Sequence, residues 1–198
     1  MLNARLAAAA KYTPRKVRLL IVAEAPPCAT DRYFYFEEVA SNDWLFRYVF
    51  EGLYGAKPER ETKADDLARL RDDGIFLIDL HEDNVSQPDA KTLGACIPGL
   101  IDRCRALKPE HIVLIKSIVH DVAFAPLKAA GMPVIDKRLP FPASGQQRNF
   151  RVGFREALAA AGFSPRSDSG SAVPAPEQRG SGSAGARPRA SASRPPRR

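Results

Sequence analysis

Cysteine is scarce in this chain. Cys28, Cys96 and Cys104 are the three in 198 residues, and no two of them form a CxxC pair. An odd, scattered set argues against a disulfide framework and suits reduced thiols in a cytosolic setting. Two nucleotide-binding signatures are also missing. No GxGxxG follows an apolar run and no GxxxxGK[ST] occurs anywhere, which argues against a dinucleotide site or a P-loop. No apolar run approaches the length of a membrane span, and the start "MLNARLAAAAKYTPRK" is too short in apolar residues for a secretory signal. The expectation is a soluble, cytoplasmic protein without membrane contact. Internal repeats are absent as well.

Large aliphatic residues are missing from residues 164–198, where Val173 is the only one bigger than alanine. A segment of Ser, Pro, Gly, Ala and Arg cannot bury enough apolar surface to offset its ordering entropy, and disorder is expected for it. The chain therefore divides into one domain, residues 1–163, and a tail, residues 164–198. The division changes the meaning of the net charge of +7: seven arginines against Asp168 and Glu177 put +5 on the tail, leaving +2 on the domain. If the domain grips phosphate, it does so through local patches. The tail is either a solvated linker or an electrostatic arm for nucleic acid.

Within the domain, apolar runs alternate with helical patterns. Arg18–Ala23, Ile75–Leu80, His111–Ile115 and the short Pro133–Ile135 read as strands, and the first three lack alternation, as strands buried on both faces do. Trp44, Leu45, Tyr48, Val49 and Leu53 recur at helical spacing behind Asn42 or Asp43 as N-cap. Leu67 and Leu70 mark a shorter helix ending at Gly74. Residues 89–107 form another, divided by Pro98, and residues 117–130 one more, interrupted at Pro126. A last helix spans about Phe150–Ala161, with Asn149 as cap and Gly162 as stop. This is an α/β layer fold on a mainly parallel sheet. Ligands in such sheets sit beyond the carboxyl ends of the strands.

That rule selects three segments. Glu24 closes the first strand, and Pro26 and Pro27 stiffen the exit; a carboxylate there is costly unless paired or wetted. Asp79 is the same anomaly in the second run, and two acids at neighbouring strand ends raise one pKa by burial and like charge. Tyr33, Phe34, Tyr35 and Phe36 supply core residues and a ring to stack on a base. The third segment, "DKRLPFPASGQQRNF", sets Ser144 and Gly145 in a rigid turn among Lys137, Arg138, Arg148 and Arg151, a phosphate grip. Gln146 and Gln147 offer amides that read base edges. The bland alternatives are a carboxylate bonded to nearby backbone and a plain connecting loop.

The order of these segments resembles the uracil-DNA glycosylase superfamily, over about residues 16–162. In the branch it is most similar to, the first motif reads Gly-Glu-Ala-Pro-Gly; here Ala23-Glu24-Ala25-Pro26-Pro27 keeps Glu, Ala and Pro. The family then places an aromatic about ten residues on, matching Phe36 or Tyr35. Its second motif ends an apolar strand in Thr-Asn-Leu, and Ile78-Asp79-Leu80 puts Asp in place of that Asn. Its third motif is His-Pro-Ser, and Phe141-Pro142-Ala143-Ser144 has Phe in place of the His.

The resemblance implies a three-layer α/β/α domain with a four-stranded, mainly parallel sheet, acting on DNA as a monomer. It implies hydrolysis of the N-glycosidic bond of a flipped base in DNA repair. Glu24 or Asp79 would position water, and Pro26, Tyr35, Phe36, Phe141 and Gln146 would hold the base. Ser144, Gly145, Arg148 and Arg151 would hold phosphate. No metal and no cofactor are expected, because three cysteines do not match the four of that branch's iron–sulfur cluster. Phe141 has no donor for the anion that leaves, so the donor is a protonated Asp79 or comes from His81, Gln146 or backbone N–H. Otherwise the substrate is a base other than uracil. The alternatives are a catalytically inactive module that binds nucleic acid or a base on the same fold, and a small-molecule enzyme on a similar α/β scaffold, since fold does not fix function.

Overall fold

A computed structural model describes residues 2–39 and 43–166; the tail assigned to residues 164–198 lies outside them from Ser167 onward. Ser164 and Arg166 are tied to the domain: the Ser164 carbonyl accepts from Arg18 at 3.1 Å and the Arg166 N–H donates to Asp73 at 3.2 Å. Three parallel strands form the sheet, β1 (Leu19–Ala23), β2 (Ile75–Asp79) and β3 (His111–Leu114), in the order β2-β1-β3. The register pairs Ala23 with Asp79 and Val22 with Leu114. Leu19 through Val22 are fully buried. Successive side chains of a strand point to opposite faces, so both faces of β1 are covered.

Seven helices surround the sheet among the described residues: α1 (Leu2–Lys11), α2 (Trp44–Tyr54), α3 (Lys63–Asp72), α4 (Ala90–Ala95), α5 (Ile97–Leu107), α6 (Ser117–Ala129) and α7 (Gln147–Ala160). Asp43 caps α2 by accepting from the Phe46 N–H at 3.2 Å; Asn42 lies outside the described residues. Two close approaches fix α7. A Cβ on Gly52 of α2 would meet the Phe154 ring at 2.6 Å, and one on Gly153 would meet Leu139 at 2.9 Å.

Three expectations need correction, and one element was missed. The expected fourth strand, Pro133–Ile135, is absent as a strand. It touches β3 through a single parallel bridge, Val134 to Ile112, and a second bridge joins Leu139 to Ile115. Pro133 has no N–H for a ladder, and the Lys137 N–H turns back to the Ile135 carbonyl at 3.0 Å, so the chain leaves the sheet between the bridges. Pro126 sits inside an unbroken α6, where it removes the one backbone bond that its N–H would make to the Val122 carbonyl without ending the helix. Helix α7 starts at Gln147, so Asn149 lies within it and donates to the Gln146 side chain at 2.9 Å. Helix α1 was not foreseen.

Candidate functional site

The three strands end on three charged residues side by side. Glu24 follows β1, Asp79 closes β2, and Lys116 stands just beyond β3. Their backbones are held by the ladder itself: Leu80 N–H donates to the Ala23 carbonyl at 2.8 Å, His81 N–H to the Glu24 carbonyl at 2.9 Å, and Ile115 N–H to the Val22 carbonyl at 2.9 Å. All three side chains line one cavity of about 350 Å³, within the roughly 300–1,000 Å³ of small-ligand sites. Tyr33, Phe34, Trp44 and Phe141 supply most of its aromatic wall, and Arg32 and Asp43 also reach it.

Asp79 is 8% exposed, and among the described residues nothing hydrogen-bonds to its carboxyl; its backbone carbonyl accepts from Arg103 at 2.8 Å. Burial raises the pKa of this carboxyl to about 7. The Arg103 and Arg5 guanidinium groups oppose that rise and Glu24 reinforces it. Near neutral pH Asp79 thus exists both as an acid that donates and as a carboxylate that only accepts. Glu24 is held differently. The Lys116 ammonium donates to its two oxygens at 2.6 and 2.5 Å. Lys116 has φ 81°, a left-handed backbone that costs a residue with a side chain about 1–3 kcal/mol and marks the sharp exit from β3 into α6.

The aromatic run divides by role. Tyr35 is in the core, and its hydroxyl donates to the Leu77 carbonyl at 2.9 Å while accepting from the Leu77 N–H at 2.6 Å. Leu77 lies on β2, the sheet edge, so one hydroxyl satisfies both groups that an edge strand leaves unpaired. Phe36 stands edge-on to Tyr33 at 5.4 Å, outside the residues that line the cavity. The rings that line it are Tyr33 and Phe34. Burial pushes the Tyr33 hydroxyl pKa well up.

The remaining predicted residues separate in space. Pro26 is buried, while Pro27 lines the cavity. Phe141, 39% exposed, lines the cavity and an adjoining cleft that also holds Lys116, Ser144 and Gln146. Ser144 and Gly145 are consecutive left-handed residues, φ 51° and 82°, forming a tight turn there. Arg148 lies in a separate shallow groove with Lys137. Arg151 is ion-paired with Glu51 of α2 and lines neither the cavity nor the cleft that holds Ser144. His81, a candidate donor, turns its ring to the Asp83 backbone at 3.1 Å and does not line the cavity.

Sequence reasoning missed four residues here. Lys116 carries the signal that selected Glu24 and Asp79, a charged residue at the end of a buried run. Arg5 carries none, because an arginine in an alanine-rich helix reads as exposed. It is 4% exposed, donates to the Pro27 and Ala29 carbonyls, and lies 5.7 Å over the Tyr33 ring. It therefore clamps the loop after β1. Trp44 and Arg32 reach the cavity only through tertiary packing. No family model and no curated protein matches the chain. Among the described residues, no three His, Cys, Asp or Glu side chains group to hold a metal, and no helix is long and apolar enough to cross a membrane.

Proposed function

We propose that the cavity receives a planar nucleobase turned out of DNA, and that the protein hydrolyses the base's N-glycosidic bond on a uracil-DNA glycosylase-like α/β/α fold. One observation carries the reading: carboxylates from adjacent strand ends, Glu24 and Asp79, share a cavity walled by Tyr33, Phe34, Trp44 and Phe141. A flat ring fits such walls, and each stacking contact is worth about 1–3 kcal/mol. The buried, unpartnered Asp79 carboxyl faces the base's hydrogen-bonding edge, where burial holds its pKa near neutrality. Glu24 positions the attacking water at the sugar. Turning the base out is required because the reacting bond is shielded within a duplex.

A second reading has an observation of its own. Both oxygens of Glu24 are engaged by Lys116, which suits a module that binds a base without cutting it loose. The deciding experiment incubates the full chain with end-labelled oligonucleotides carrying a single uracil, hypoxanthine or normal base, then treats them with alkali to cut at abasic sites. Cleavage at one base that is lost in Glu24→Gln supports the enzyme. Binding without cleavage at high protein concentration overturns catalysis and leaves the binding module.

A further inference from the structure

Resting on the glycosylase reading, we infer that Lys116 is a catalytic residue whose ammonium stabilises the negative charge on the departing base. An ammonium has three N–H donors. Two go to the Glu24 oxygens, and among the described residues the third has no acceptor. The side chain is 35% exposed and lines both the aromatic cavity and the adjoining cleft. The left-handed backbone at Lys116 holds this geometry at the mouth of the site. Phe141, which borders the same two spaces, has no donor to offer. Arg32 is the other cation lining the cavity.

In the step, the water oxygen bonds to the sugar C1′ and the C1′–N bond breaks with its electron pair leaving on the base. The water proton passes to Glu24 and later, through solvent, to the base anion. Lys116 stays an ammonium throughout and gives its free N–H to the carbonyl oxygen on which the anion's charge accumulates. A preorganised donor at such a position contributes to catalysis because it is aimed where charge develops.

The test compares uracil with fluorouracil, whose anion is the better leaving group, in single-stranded oligonucleotides and single turnovers of the full chain. Removing one such donor costs about 10²–10³ in rate, so Lys116→Met and Lys116→Gln should lose about that factor on uracil and less than about tenfold on fluorouracil. Lys116→Arg, which keeps the charge, should retain the wild-type ratio between the two bases. Gln can still donate to Glu24, so it keeps the test available if the Met variant fails to fold. An equal loss on both bases means that Lys116 only holds Glu24, which overturns the inference and leaves the glycosylase reading standing. Unchanged rates on uracil overturn it too. If the wild type releases neither base, the glycosylase reading falls and the inference with it.

Discussion

Asp79 sets the behaviour of the site at the scale of a single residue. Its pKa rises from the ordinary carboxylate range to about 7 in the folded chain, chiefly through burial. Below the unfolded value both states hold the proton, and stability is unaffected. Between about pH 4 and pH 7 the unfolded chain loses its proton while the folded one keeps it, so stability falls as pH rises and the loss is complete above pH 7. Asp79→Asn removes that penalty. Its melting temperature should exceed wild type at pH 8 and match it near pH 4; a gain at both pH values would mean that charge is not the cause. Uracil release by the wild type should decline above pH 7 as the carboxyl ceases to donate. Burial sets the midpoint first, with Arg103 and Arg5 lowering it and Glu24 raising it; Tyr33 and Tyr35 also face Asp79, whose charge raises their own pKa values. Glu24 and Asp79 were legible in the sequence because a carboxylate ending a greasy run is anomalous on its own. The role of Tyr35 was not, since its partner is 42 positions away.

The strands and helices were legible wherever burial is continuous or periodic. Three of the four strands and the helices from Trp44 to Ala160 follow from apolar spacing, whereas the segment after Pro133 depends on backbone donors that spacing does not reveal. Tyr35→Phe leaves a buried N–H and carbonyl of β2 unpaired and should cost about 2–3 kcal/mol in urea unfolding; a loss below about 0.5 kcal/mol would show that the edge is satisfied otherwise. Gly52→Ala drives a methyl into the fully buried Phe154 ring. It should destabilise the α2–α7 contact by about 1–3 kcal/mol, and an unchanged unfolding midpoint would show that the ring moves aside freely.

Among the described residues, most of the cations around the third loop are already held by carboxylates. Of the four cations around the third loop, Lys137 pairs with Glu156, Arg138 with Asp121 and Arg151 with Glu51. Among the described residues Arg148 has no such partner. Loss of Arg148 should therefore matter more to DNA than loss of its neighbours. Arg148→Ala should weaken binding to single-stranded DNA several-fold at low salt and lower the salt slope by about 1. Arg138→Ala should change binding little, because Asp121 already holds that guanidinium at 2.8 and 2.9 Å. The reverse order would move the phosphate contact to the other side of the loop.

Catalysis and binding both require the cavity to take a base, and the chain carries its own reporter. Trp44 is its one tryptophan and lines the cavity beside Phe34. Titrating the full chain with a short uracil-containing oligonucleotide should quench its emission saturably, and Phe141→Ala should weaken the response. Binding detected by anisotropy of a labelled strand with no change in Trp44 emission would place the nucleic acid elsewhere and contradict the account.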